Sequence, residues 1–532
     1  MAEKFLPEIR AALDSGDPEA RNRAIKFTSS AVLRRSEPFY ELRPSIEEAL
    51  ASADDRQIES AAECLAQFAD KNPDSVVDAV PTLGKTIQQG NADIRQEVAD
   101  ALWHVATDHP EPVVDVVDDL VVAFRDSSDF TKDSICRVLD QVAGEMDSVP
   151  DELFVELVEF GLGYTESMST SNAIDVIGGL SASVDVLDQE VRSNLTRAIR
   201  EGPTARRENA AAIARVLTGQ SAGNSILGGD VVHESPPDGT AELLPALTDA
   251  FDDADEDVRK HAMWAVCGLS RTKPATVVPI VEEIDSLLEL ESDARGQAMF
   301  PAAEALYHLA GHDPEALVTD DTDLVDHLIW LAISLDKQSF DESPASDRLG
   351  YTIYTTHGAK ALGRIAQAVP DRIVDEFEDD SSDESLADFY LDAHEDIQEN
   401  LLGVLKEVSP GAPEVFGEEN EELGELFDRD PEAREDVAEI YCVLAESDPD
   451  QVVESLPELT TALEARPGTQ TEENLVTAIA TIADSEPVDL TAYRETFVDL
   501  FAEGSLDLAG EVLLVDLLAQ IPSTVDIELR LQ

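Results

Sequence analysis

The stretch AELLPALTDAFDDADEDVRKHAMWAVCGL, residues 241–269, holds two apolar patterns separated by an acidic turn. In the first, apolar residues fall at 243, 244, 247 and 251. In the second they fall at 258, 262, 265, 266 and 269, a spacing of i, i+4, i+7, i+8, i+11. A strand alternates every second residue, so both segments are helical. The acids of DDADED suit the start of the second helix, where side-chain oxygens cap free amides and negative charge meets the helix dipole. The unit is a helix pair. No convincing run of period-two alternation occurs elsewhere in the chain, and the sequence reads as all-α.

Working outward, the second helix recurs. Residues 99–110, ADALWHVATDHP, and residues 303–314, AEALYHLAGHDP, share the pattern A-x-A-L-aromatic-His-aliphatic-A, three residues, Pro. DPEAR appears at 17–21 and again at 430–434. Prolines set the period. Apolar helical stretches end just before Pro38, Pro73, Pro110 and Pro150, at steps of 35, 37 and 40. The series resumes at Pro274, Pro314, Pro370, Pro410, Pro449 and Pro487, at steps of 40, 56, 40, 39 and 38. Proline stops a helix because it lacks the amide hydrogen and clashes with the preceding turn, and it can open the next helix at its first position. The single step of 56 marks an insertion.

This pattern resembles the HEAT-repeat family, which carries a proline in the first helix, an Asp in the turn and an Arg early in the second helix. Pro245, Asp255 and Arg259 fit, as do Pro81, Asp93 and Arg95; Asp430 and Arg434 fit the last two positions, and Asp17 and Arg21 resemble them. The resemblance implies a right-handed superhelical α-solenoid of antiparallel helix pairs, with Asp and Arg forming a ladder between adjacent repeats. About thirteen repeats fit the period. The motif blurs over 150–240 and 370–392. Residues 219–239, GQSAGNSILGGDVVHESPPDG, read as a Gly/Ser/Pro-rich loop between N-terminal repeats at 1–218 and C-terminal repeats at 240–532. Residues 337–350, KQSFDESPASDRLG, read as the insertion.

A chain of 532 residues exceeds the ~250–300 at which one core stops growing, which also favours an array. With 43% hydrophobic residues it is composed to fold. Its charge is extreme: 113 Asp and Glu against 37 Lys and Arg, a formal balance of −76. In dilute buffer such self-repulsion opposes compaction, whereas molar salt shortens the Debye length to about 3 Å. The acid is spread along the whole chain, and the bases are mostly Arg. These features resemble proteins of halophilic archaea. The sign is wrong for nucleic acid, which needs a basic footprint. Cys64, Cys136, Cys267 and Cys442 lie far apart in apolar stretches and read as small buried hydrophobes in a reducing compartment. No apolar leader region opens the chain, and no apolar run is long enough to span a membrane. The expectation is a cytoplasmic protein.

No catalytic constellation emerges. His104 and His308 hold equivalent positions beside Trp103 and Tyr307. They read either as a surface line facing a ligand or, more plainly, as tolerated neighbours of core aromatics. Trp103, Trp264, Tyr307 and Tyr441 share a helical phase and read as core packing. One HEAT-repeat class, deoxyhypusine hydroxylase, holds two irons with His-Glu pairs on equivalent helices. Here His233-Glu234 falls in the loop and only His394-Glu395 opens a helix, while Ala262 follows His261 and Gly358 follows His357. The acid runs at 376–388 and 418–425 lack EF-hand spacing. No phosphate loop, HExxH helix or GxSxG elbow is present. Neither metal nor cofactor is expected.

The unusual local feature is basic. Arg192, Arg197, Arg200, Arg206, Arg207 and Arg215 cluster with only Glu201 and Glu208 among them, and a second island holds Arg21, Arg23, Lys26, Arg34 and Arg35. Two such islands in a chain of this charge suggest docking of an acidic partner protein, with Arg197, Arg200, Arg206 and Arg207 as the contacts. The competing reading is ion pairing between repeats. The sequence therefore points to a non-enzymatic scaffold that binds protein partners on its curved surface. The alternative is a HEAT-like lyase or metal-dependent enzyme acting on a small molecule or cofactor in the concave face.

Overall fold

The computed structural model describes residues 5–33, 37–146, 148–163, 169–220, 235–288, 298–318, 323–333, 345–373, 402, 405–411, 423, 427, 433–465, 468–485, 487–504, 506 and 508–521. Among these the chain is helical, with one isolated bridge between Val186 and Asp238 and no strand. It divides into two compact units, residues 1–272 and 273–532.

In the first unit, α1 (Leu6–Leu13) pairs with α2 (Pro18–Val32), α3 (Arg43–Glu47) with α4 (Asp55–Lys71), and α5 (Val80–Gln89) with α6 (Ala92–Asp108). After the short α7 (Pro110–Val114), α8 (Val117–Arg125) pairs with α9 (Asp129–Val142), and α10 (Asp151–Gly161) with α11 (Ser169–Ser181). Then α12 (Gln189–Glu201) pairs with α13 (Thr204–Leu217), and α14 (Leu244–Asp249) with α15 (Glu256–Thr272). The second members stack one on the next: α2 on α4, then α6, α9, α11, α13 and α15. First members form a parallel row, in which α5 touches α8 and α12 touches α14. Two rows of stacked helix pairs make an α-solenoid.

The stretch 150–240, where the motif blurs, still forms pairs. The loop at 219–239 does not interrupt the stack, because α13 packs directly on α15. Residues 221–234 of that loop lie outside the described residues.

In the second unit, α16 (Pro274–Val277) and α17 (Val281–Asp285) pack on α18 (Met299–Ala310), and α19 (Leu324–Ile333) on α20 (Ala345–Ala368), which also covers α18. Further on come α21 (Arg434–Ser447), α22 (Pro449–Val452), α23 (Leu456–Glu464), α24 (Thr469–Ser485), α25 (Arg494–Glu503) and α26 (Leu508–Gln520). There α24 packs on α21 and receives α26. Of the expected insertion, residues 345–350 open α20 and 337–344 lie outside the described residues, as do the acid run at 376–388, the run at 418–425 apart from Leu423, and both His-Glu pairs. No described helix is long and apolar enough to cross a membrane.

The prolines act in both expected ways. α6 ends at Asp108 and Pro110 opens α7; α15 ends at Thr272 and Pro274 opens α16; α21 ends at Ser447 and Pro449 opens α22. A second proline splits many first members. Pro44, Pro81, Pro245 and Pro457 each stand in the first turn of a helix that follows a short 3-10 segment. There the missing amide hydrogen costs no helical bond. Second members start on side-chain caps: Asp17, Asp54, Asn91 and Ser128 each accept a backbone N–H from the first turn. Asp255 Oδ1 accepts from the amides of Asp257 and Val258 at 3.1 and 3.3 Å.

Burial in α15 exceeds the sequence expectation. Val258, Ala262, Ala265, Val266 and Leu269 are buried as the spacing required, and Trp264 and Cys267 as a core aromatic and a small hydrophobe should be, but so are Met263 and Gly268. A second-row helix touches both its own partner and the preceding repeat, so two faces leave water. Gly268 serves this contact, since a Cβ there would come within 2.6 Å of the Thr218 hydroxyl and 2.7 Å of its carbonyl oxygen.

Candidate functional site

The arginines sort into three kinds. The first kind caps helices. Arg21 Nε donates to the Leu13 carbonyl at 2.7 Å, Arg259 to that of Asp253 at 2.5 Å, and Arg434 Nε to that of Phe427 at 2.6 Å. Arg95 reaches the Gln88 carbonyl of its own pair at 3.3 Å and the Ala123 carbonyl and Ser127 hydroxyl of the next pair at 3.4 and 3.2 Å. A cation at a helix C-terminus satisfies orphan carbonyls and meets the negative end of the dipole.

The second kind forms rungs between consecutive pairs. Arg10 meets Glu41, Arg43 meets Asp78, Arg125 meets Glu152 and Glu156, and Arg192 meets Glu242. Two of the four arginines expected to contact a partner belong here. Arg200 Nε lies 2.6 Å from Asp249. Arg207 grips Asp253 with two parallel bonds of 2.6 and 2.9 Å and adds a third, of 2.9 Å, to the Gly202 carbonyl. Its guanidinium holds the Asp253 carboxyl below the usual range against the opposing effect of burial. Asp255 caps its own helix while Asp253 provides the rung, two residues from the position that the family resemblance implied.

The third kind is left over. Arg197 is exposed and donates to the neutral Asn194 at 2.7 Å. Arg206 is partly exposed and meets no carboxylate among the described residues. Both line a cavity of about 260 Å³ with Ala198, Glu201, Gly202 and Pro203, where α12 ends and α13 begins. Pro203 occupies the cap position of α13 and offers no side-chain acceptor, so the positive end of that helix opens beside Arg206. The arrangement suits an anionic group. Arg215, the last of the island, is buried, and its Nη1 lies 3.5 Å from His261 Nδ1. Burial pulls Arg215 down to about 10, and burial reinforced by Arg215 pulls His261 down to about 3, leaving a neutral ring. In the second island Arg21 caps a helix, Arg23 and Lys26 are exposed, and Arg34 and Arg35 lie outside the described residues.

The second-row face around α4, α6 and α9 has the opposite character. Burial, then Glu63, Asp100, Glu59 and Asp93 in turn, push Glu97 up to about 7. Burial also raises Asp100 and Asp140, and burial lowers His104. His104 and His308 keep their equivalent places, each beside an aromatic ring with centroids 4.6 and 5.3 Å apart. Trp103 and Tyr307 are half-buried, whereas Trp264 and Tyr441 belong to the core. An arginine from the following second-row helix covers each half-buried ring: Arg137 over Trp103 at 3.8 Å and Arg364 over Tyr307 at 3.9 Å. Cation–π contact protects the ring without full burial.

Sequence reasoning offered ion pairing between repeats as the competing reading of the island without naming the acids, and it missed the His327–Asp285 bond of 2.7 Å between α19 and α17. The available signal was a base and an acid about one period apart. Among the described residues no three His, Cys, Asp or Glu side chains gather where a metal could sit.

No protein-family model matches the chain, and no curated protein does. Solved structures share the general fold at low identity. An engineered protein is 18% identical over 76% of this chain and 99% of its own, with a TM-score of 0.47. A structure concerning Kap95p binding to RanGDP gives 13% identity, 94% and 75% coverage and 0.48. One concerning the interaction between cadherin and β-catenin gives 14% identity, 92% coverage of each chain and 0.45. Likeness at this level carries no functional argument.

Proposed function

We propose that this chain is a HEAT-type, protein-binding scaffold of a salt-rich archaeal cytoplasm, and that Arg197 and Arg206 dock an acidic partner. The carrying observation is that Arg197 and Arg206 line one cavity and meet no carboxylate among the described residues, in a chain with 113 Asp and Glu. Near neighbours use the same residue type for rungs, so chance pairing was available and these two are spared from it. Arg200 and Arg207 do not line the cavity and are already paired with acids of the next helix pair. Guanidinium forks bind carboxylates with two parallel bonds, which suits a surface that must select acidic side chains. The acid-rich composition fits a cell at molar salt, where screening weakens repulsion between exposed carboxylates.

The test is cross-linking in the native cell at high salt, comparing wild type with the double variant Arg197→Glu/Arg206→Glu. A stoichiometric acidic partner should cross-link to wild type and be lost from the variant, while Arg200→Glu keeps it. A partner held equally by both proteins would remove the groove from the account.

A further inference from the structure

α2 and α26 are the first and last second-row helices among the described residues, and both expose apolar side chains. On α2, Phe27 is 49% exposed, and Leu33 just after it 59%; on α26, Val512 is 53% and Val515 39% exposed. The placement is directional. Ser29 faces α4, bonding Gln67 at 2.9 Å, and two residues of helix turn the chain by about 200°, so Phe27 lies on the side away from α4. By the same step Val512 and Val515 point away from buried Leu514 and Leu517. Stacked repeats need polar outer faces to stay separate, and these two faces carry exposed apolar side chains among their charges.

The surrounding charges are complementary. On α2, exposed Arg23 and Lys26 flank Phe27, and neither meets a carboxylate among the described residues; Arg23 Nε bonds only the Glu19 carbonyl, at 3.2 Å. On α26, Glu511 and Asp516 flank the two valines and meet no cation among the described residues. One face offers an aromatic ring between cations, and the other offers an aliphatic strip between carboxylates.

We infer that α26 of one molecule docks on α2 of a second copy, continuing the second-row stacking from chain to chain. The two patches differ, so the contact is heterologous and adds molecules in one direction.

Sedimentation velocity over a wide concentration range, at a salt level that keeps full helical circular dichroism, tests this. Wild type should form a concentration-dependent series of oligomers. Phe27→Glu and Val512→Glu should each be monomeric with unchanged circular dichroism, because both sites are exposed. Mixed in equal amounts, they should form dimers and nothing larger, since one variant keeps the α26 face and the other keeps the α2 face. Lys26→Glu should weaken the series through charge alone. A wild type that stays monomeric, or a mixture that does, overturns the inference, as does a single variant that still oligomerises.

Discussion

Helices α4, α6 and α9 and helices α12, α13 and α14 belong to one unit of one acidic chain, yet they handle charge in opposite ways. Around α6, burial and then neighbouring carboxylates push Glu97 up to about 7. Around α13, Arg192, Arg200 and Arg207 are matched to acids of the next pair, and Arg197 and Arg206 meet no carboxylate among the described residues. The crowded region still pairs Arg137 with Asp100 at 3.8 Å, but lets acid accumulate around them. The matched region uses charge to tie one helix pair to the next. Acid in the first region is background, and base in the second is placed.

Two tryptophans of second-row helices should give the largest contrast. Trp264, buried beside the matched region, should cost about 3–5 kcal/mol as Trp264→Ala, in line with buried aromatic truncations. Trp103, half-buried under Arg137, should cost no more than about 2 kcal/mol as Trp103→Ala. Urea melts in molar KCl measure both, and equal losses would break the contrast. Next come the rungs. Arg207 and Asp253 are mostly buried, with side chains 21% and 11% exposed, so Arg207→Ala should cost about 1–2 kcal/mol. The Arg200–Asp249 pair is open to water, and Arg200→Ala should stay within about 1 kcal/mol. A double-mutant cycle with each acid isolates the pair.

A smaller effect follows from Glu97. Its folded value lies above that of an ordinary carboxyl, so between the two values the folded chain binds the extra proton. Stability from this group is therefore full at acid pH and falls as pH rises through about 7. Hydrogen exchange of the α6 amides should speed up from pH 6 to pH 8 after correction for intrinsic rates, and Glu97→Gln should flatten the trend. The reading must be local, because His327, raised by Asp285, also loses stability as pH rises. Smallest of all should be the difference in salt response. Lowering salt should loosen α6 amides more than α13 amides, and an equal response would remove the distinction between crowded and matched regions.

The helix pair was legible because its apolar spacing, acidic turn and prolines act locally. Residues 258, 262, 265, 266 and 269 are buried as their spacing demands. The burial of Met263 and Gly268 on α15 was not legible, since it depends on which helix arrives from the preceding pair. The arginine island was visible as composition. Its division into rungs and unpaired groups was not, because Asp249 and Asp253 lie a repeat away from Arg200 and Arg207. The phase of Trp103 matched that of the core aromatics, but its depth is set by Arg137 on the next second-row helix. Sequence periodicity gives direction around a helix, and neighbours decide burial.

The central claim is that Arg197 and Arg206 are spared for an acidic partner. Fluorescence anisotropy with a labelled poly-glutamate peptide, titrated with wild type, Arg197→Ala/Arg206→Ala and Arg200→Ala, tests it most directly. The account predicts binding by wild type and Arg200→Ala, and a loss of about tenfold or more in the double variant at constant salt. Equal affinity in all three proteins would contradict it.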